Sequence, residues 1–259
     1  MSLLELGGEG RPLADLEVID MHGHLGRCGF AIPDLSVEGM VAGMDRAGVR
    51  QILCSHMQSM GQETTRGNDE VLAAMRAFPG RILGYASAWP SDRASVRAEI
   101  ERCLAAGFTG VKVHDSNGFA YTYEDYAPAF ELADAHRRPV LLHVWGGDEQ
   151  LAQAAELAGQ YPGASFLLAH SGCRNVDGYL RAAREHANIY LDLALSSSPR
   201  GLVARLVEEA GADKVVWGSD AYFFSQGHQL GKVLGADLSD EVKAQVLSGN
   251  AKRILARAR

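Results

Sequence analysis

Basic clusters, paired cysteines and long apolar runs are all missing from this sequence, and each absence removes a class of function. No block of Lys and Arg occurs and the formal net charge is −7, so the electrostatic footprint of a nucleic-acid binder is lacking. The four cysteines, Cys28, Cys54, Cys103 and Cys173, are scattered and form no CxxC pair, which argues against a zinc ribbon or redox motif and for reduced thiols. No apolar stretch approaches the roughly 20 residues of a membrane span. The opening MSLLELGGEGRPLADLEV lacks a basic start followed by an apolar run. A cytoplasmic location, with no membrane or nucleic-acid partner, is the expectation. GxGxxG and the GxxxxGK phosphate-loop pattern are absent too, so nucleotide binding of the familiar kinds loses its support.

What is present is a repeated pattern. Eight short apolar runs, at residues 18–22, 49–54, 82–86, 111–114, 140–144, 166–170, 189–193 and 215–220, start 23 to 33 residues apart, about the length of one βα repeat. Their continuous rather than alternating hydrophobicity suits parallel strands covered on both faces. Between them, apolar residues at three- and four-residue spacings mark helix faces, as in Val37, Met40, Val41 and Met44. Residues 176–186 carry the faintest helix pattern, and a last helix is expected near Val242, Val246, Ile254 and Leu255. Gly48 and Gly211 fall where helices should stop, and Ser36, Asn68 and Ser91 suit helix starts. Eight strand–helix alternations in 259 residues predict an α/β fold, a closed (β/α)8 barrel of the TIM type, which takes roughly 250 residues. No linker-like stretch divides it, so one domain over residues 1–259 is expected.

Nine histidines are present, and six of them, His22, His24, His56, His114, His143 and His170, fall at or just past the C-terminal end of an expected strand. In a barrel, side chains from different strands converge on that rim. His22 and His24 stand at i and i+2, so a strand points both imidazoles to one face, and Gly23 adds no bulk between them. Asp20 shares that face one step lower, placed to accept the second ring N–H of a ligating histidine. His143 closes the fifth run, His170 the sixth and Asp220 the eighth. Four or five residues of metal-ligand type thus face one cavity, and imidazole and carboxylate suit a zinc ion with an open position.

These segments resemble a known family. VIDMHGH at the first strand, GVKVH at the fourth, LLHV at the fifth, LLAHSG at the sixth, WGSDA at the eighth and the closing SGNAKRIL are together similar to the amidohydrolase superfamily. Within it they resemble the amidohydrolase-2 group of hydrolases, lactonases and nonoxidative decarboxylases, over nearly the whole chain. The resemblance implies one divalent ion, Zn2+ first and Mn2+ second, held by His22, His24, His143 and Asp220, with His170 as the acid–base residue. An ion so held lowers the pKa of bound water to roughly 7, and Asp220 or His170 would take the proton and pass it on. Some superfamily members carry a carbamylated lysine on the fourth strand; the resemblance implies an unmodified Lys112 here, expected to pair with Asp20 or Asp192 because an unpaired buried charge is costly.

His56, His114, Trp145 and Tyr222 also sit on the rim and are candidates for lining the substrate pocket. Arg27, Arg66 and Arg174 are expected to be solvated, and Met57 and Met60 to be loop core. The leading functional expectation is hydrolysis of a small amide, ester or lactone. Decarboxylation of a small carboxylic acid through the same site is the runner-up, and a catalytically silent binding barrel is the alternative from another class. The partner expected is a small-molecule substrate. A compact acidic barrel is compatible with homo-oligomers, but no interface stands out.

Overall fold

A computed structural model describes residues 1–258 of the chain. Its eight strands are β1 (Val18–Leu25), β2 (Val49–His56), β3 (Ile82–Ser87), β4 (Gly110–Val113), β5 (Pro139–Leu142), β6 (Ser165–Leu168), β7 (Ile189–Asp192) and β8 (Val215–Val216). Each pairs in parallel with the next, in chain order. The eighth strand returns to the first: the Met21 amide donates to the Trp217 carbonyl (3.0 Å) and the Asp220 amide to the His22 carbonyl (2.8 Å). The chain therefore forms the expected (β/α)8 TIM barrel.

Alternation along the strands divides the apolar residues into two cores. Ile19, Met21, Leu53, Tyr85, Leu141, Leu167, Tyr190 and Val216 pack together; almost every strand contributes, which identifies this cluster as the filled barrel interior. Val18, Ile52, Val111, Val113, Val140, Leu142, Phe166 and Leu168 face outward into the helix layer. On β4 a charge points inward: Lys112 lies between two outward valines and is 1% exposed. The helix Asn250–Ala256 sends Ala251 and Ile254 into the interior cluster. Asn250 donates to the carbonyls of Ala212 and Val215 (both 2.7 Å), which places this plug at the end where the strands begin, opposite the histidines.

Several boundaries differ from expectation. The first two strands run on to Leu25 and His56, so the paired histidines lie inside β1 and not at its end. The last strand is regular only over Val215–Val216, because the residues up to Asp220 bend across to hydrogen-bond with β1. The faint helix pattern is a full helix, Val176–Glu185, whose Tyr179, Leu180, Ala182 and Ala183 are buried. Ser36 caps its helix through the Gly39 amide (3.0 Å). Asp92, not Ser91, caps the next candidate through the Ser95 amide, since it reaches the N3 position. Asn68 is no cap: it lies within the helix Thr64–Ala77 and bonds to Ser87 and Glu99. The expected last helix is broken into Asp240–Ala244, a π-turn at Gln245–Gly249, and Asn250–Ala256. Two further helices, Leu3–Gly8 and Gln226–Leu234, have no counterpart among the expected elements.

Candidate functional site

The inward positions lead up to the site. One step above Leu141 comes His143, above Tyr190 comes Asp192, above Lys112 comes His114, and two steps above Val216 comes Asp220. The first strand breaks this parity, because its pairing with β2 slips between Asp20 and Gly23. Below the slip Ile19 and Met21 face the interior; above it His22 and His24 do. A Cβ at Gly23 would lie 2.5 Å from Ile52, so glycine is what lets β1 pass this close to β2 between the two imidazoles.

Three side chains from opposite ends of the sequence converge here. His22 Nε2 and His24 Nε2 are 3.1 Å apart, and Asp220 Oδ1 is 3.4 Å from the first and 3.0 Å from the second. His22 Nδ1 lies 2.7 Å from Asp192 Oδ2, with both side chains fully buried. A carboxylate only accepts, so Nδ1 carries the proton and Nε2 turns its lone pair toward the cluster. Gly218 makes this contact possible, since a Cβ there would overlap the Asp192 carboxylate. Asp20, expected in that role, meets His22 only at its backbone amide (3.2 Å), not at its ring, because of the register slip. It accepts from the amide (2.9 Å) and hydroxyl (2.5 Å) of Ser219 and from Gln226 (3.1 Å), stapling β1 to the segment that carries Asp220.

A second pair stands beside these. The Ala194 carbonyl accepts from His170 Nδ1, so Nε2 bears a lone pair and accepts from His143 Nδ1 at 3.3 Å. That chain of tautomers leaves His143 Nε2 as the acceptor atom of its ring. His170 follows Ala169, an interior residue, and simple alternation would send it outward; its φ of 56° turns it back. Asp220 has φ 60°. Left-handed conformations at non-glycine residues collect at functional sites.

Burial sets the electrostatics. It holds His22 well below the usual imidazole range, helped by the neighbouring Lys112 charge, and lowers His170 to about 4 and His114 to about 2. Burial likewise lowers the Lys112 ammonium to about 8 and pushes the Asp192 carboxyl up, a rise that the Ala194 amide and the Lys112 charge oppose. The expected pairing of Lys112 with Asp20 or Asp192 is not formed. Its Nζ lies 3.4 Å from His22 Nε2 and makes no ion pair among the described residues, because Asp20 faces β8 and Asp192 is spent on His22.

The donor set suits a divalent cation. His22, His24 and Asp220 offer ligand atoms that all lie within 4.8 Å of one another, and two imidazole nitrogens with a carboxylate oxygen are ligands for zinc and manganese alike. His143 falls instead in a second such group with His114 and Asp115, its ring stacked on that of His114 at 3.7 Å.

Above the cluster opens a cavity of about 580 Å³. Of the residues named from sequence, His24, His114, His143, Trp145 and Asp220 line it; Trp145 stacks on His170 at 4.5 Å. His56 and Tyr222 do not. His56 accepts from the Gln58 amide (3.2 Å) beneath Gly26, and the Tyr222 hydroxyl donates to the Ser36 carbonyl (2.7 Å) beside a neighbouring cavity that holds none of the clustered donors. Met57 and Met60, expected as loop core, line this cavity with Phe30, Ile32, Phe223 and Phe224. Arg27, Arg66 and Arg174 are exposed and do not line it.

A family model described as amidohydrolase matches residues 19–257. The chain belongs to the amidohydrolase family. No curated protein sequence matches this amidohydrolase significantly. Among solved structures, 5-carboxyvanillate decarboxylase from Sphingomonas paucimobilis superposes with a TM-score of 0.76 at 18% identity, over 93% of this chain and 99% of that one. A dihydroxybenzoic acid decarboxylase from Polaromonas, with bound manganese and the inhibitor 2-nitroresorcinol, gives 0.73 at 18%, over 92% and 96%. 4-Oxalomesaconate hydratase from Rhodopseudomonas palustris gives 0.74 at 17%, over 93% and 96%. At these identities the likeness is one of fold. No helix among the described residues of the amidohydrolase is long and apolar enough to cross a membrane.

Proposed function

We propose that this amidohydrolase is a metal-dependent decarboxylase of a small carboxylic acid. The observation that carries the reading is Lys112: a buried ammonium, one inward step below His114, that no carboxylate of the described chain pairs with. A buried cation with no carboxylate in contact is costly even with Asp220, Asp192 and Asp115 acting on it from farther off, and a substrate carboxylate entering from the cavity supplies the contact. The decarboxylase names of two similar structures support the same choice.

His22, His24 and Asp220 would hold the ion, with His143 as the further ligand through its Nε2 atom. When bound, the ion supplies Lewis acidity toward the carboxylate or a neighbouring hydroxyl of the substrate. Asp192 keeps His22 in the ligating tautomer. Lys112 draws the carboxylate to the floor, while Phe223, Met57 and Met60 exclude water around it. Loss of carbon dioxide leaves the electron pair on carbon; His170, through Nε2, or Asp220, through its carboxylate, flanks that position and, after taking up a proton from solvent, would hand it to that carbon in place of the lost group.

Hydrolysis is the second reading, favoured by one observation: burial holds His170 neutral near pH 7, which suits taking a proton from water. The two are separated by offering the manganese- or zinc-loaded protein a panel of carboxylic acids and matched esters, amides and lactones. Carbon dioxide release is the expected result. Release of acid or amine alone assigns hydrolysis, and no turnover by the loaded protein leaves the silent barrel.

A further inference from the structure

We infer that the cavity takes a substrate with a single carboxylate on an otherwise apolar, flat body, and that it rejects a second anionic group. The inference rests on the proposed seating of a carboxylate at the floor. No Lys or Arg is among the wall residues, and Lys112 lies below them. One divalent ion and the Lys112 ammonium, set against the Asp220 and Asp192 carboxylates, leave a single positive charge, which one substrate carboxylate matches.

The walls have no means of receiving another. Phe30, Ile32, Met57, Met60 and Phe223 present rings, a branched alkyl chain and thioethers. Phe30 meets Phe223 and Phe223 meets His24, each edge to face at 5.5 Å, forming a column of rings from the donor cluster to the mouth. Methionine sulfur and aromatic edges favour a flat π-face over a hydrated anion. A charge on the rim beside His114 repels an anion: Asp115 Oδ1 stands 3.7 Å from His114 Nδ1. A cavity of about 580 Å³ is ample for one ring with substituents, so size does not exclude a second carboxylate; its unpaired burial does.

The test is equilibrium binding, by calorimetry and by tryptophan fluorescence, of benzoate and of isophthalate to the manganese-loaded protein. Isophthalate is the same ring with a second carboxylate. An unpaired buried charge should make it bind at least about 100-fold more weakly than benzoate. Met60→Arg and, separately, Phe30→Lys should cut that ratio to about tenfold or less by giving the second carboxylate a partner. Phe30 is 69% exposed, so its replacement leaves the fold intact even where Met60→Arg does not. Equal affinities in the wild type, no binding of either acid, or a ratio unmoved in both variants would overturn the inference. Because no turnover is read, a preference for benzoate without carbon dioxide release sinks the decarboxylase reading alone, whereas turnover without the preference sinks only this one.

Discussion

Replacing Asp192 by asparagine changes one atom and should cost most of a metal ligand. In the wild type, Asp192 Oδ2 accepts from His22 Nδ1 at 2.7 Å and Oδ1 accepts from the Ala194 amide at 3.3 Å. An asparagine can keep only one of these. If its carbonyl stays with Ala194, its NH2 faces His22 Nδ1 and forces the proton to Nε2, which then points a hydrogen at His24 and Asp220 instead of a lone pair. If it flips, the Ala194 amide loses its partner in a site with no exposed surface. Either way a buried polar group is mispaired, worth about 1–3 kcal/mol, and loss of a ligand's supporting contact typically weakens metal affinity about 10- to 100-fold. We expect the dissociation constant for Zn2+ or Mn2+, measured by competition with a chromophoric chelator, to rise by that factor in Asp192→Asn. The His22 tautomer in the metal-free protein, read from imidazole nitrogen shifts, should change from Nδ1–H to Nε2–H. An affinity within about twofold of wild type would refute the reasoning, because that is below any cost a mispaired buried group carries.

Other consequences can be read in stability and metal content. His114 and His170 are held neutral by burial, with values of about 2 and about 4, whereas unfolded imidazole titrates near 6.5. The unfolded chain then binds more protons at these two sites below pH 6.5, so each costs up to about 1.4 kcal/mol of stability per pH unit on acidification. The raised Asp20 and Asp192 carboxyls work the other way, so the measure is a comparison: His114→Gln should lose less stability than wild type between urea midpoints at pH 7.5 and 5.5, and an equal loss in the two would contradict this. The Tyr179 hydroxyl donates to the Val144 carbonyl (2.7 Å) and lies 3.1 Å from that of Ala169, tying together the segments that present His143 and His170. Tyr179→Phe should lose about 1 kcal/mol in denaturant unfolding with a drop in kcat, and an unchanged kcat would show that this tie does not position the histidines. Chelation should abolish turnover, and ion restored at 100 times its dissociation constant should stabilise the fold by about 2.7 kcal/mol. No shift in Tm on reloading would count against an ion site in the folded chain.

How far the sequence could be read follows from where hydrogen-bond register is regular. Parity along uninterrupted strands is enough to send Lys112, His143 and Asp192 inward, since each sits two residues from an interior neighbour or between two outward valines. It fails at Asp20, where the slip in β1 reverses which residues share a face, and the tautomer-fixing carboxylate proves to be Asp192. Gly218, beside His22 and Asp192, was the one signal for that contact: a residue without Cβ in an otherwise apolar run. His170 reaches the site by a turn at positive φ, which alternation cannot foresee. The walls were illegible because they come from loops after β1, β2 and β8, where Phe30, Met57, Met60 and Phe223 follow no period. Their apolar character marked them only as candidates for core.

The same contrast makes Lys112 the sharpest test of what the site is for. Burial lowers its ammonium from 10.5 to about 8, a shift worth about 3 kcal/mol against the charged form. The folded value lies below the unfolded one, so the destabilisation is fully present below pH 8 and fades as pH rises toward about 10.4. A residue serving only the fold would not be kept at that cost. Lys112→Met preserves length and removes the charge. It should stabilise the metal-free chain by about 1–3 kcal/mol at pH 7, with the gain shrinking above pH 8, while weakening benzoate binding to the loaded protein about tenfold or more. If the variant instead unfolds more easily and binds benzoate as before, the lysine is structural after all, and the argument that an acid substrate completes this site loses its foundation.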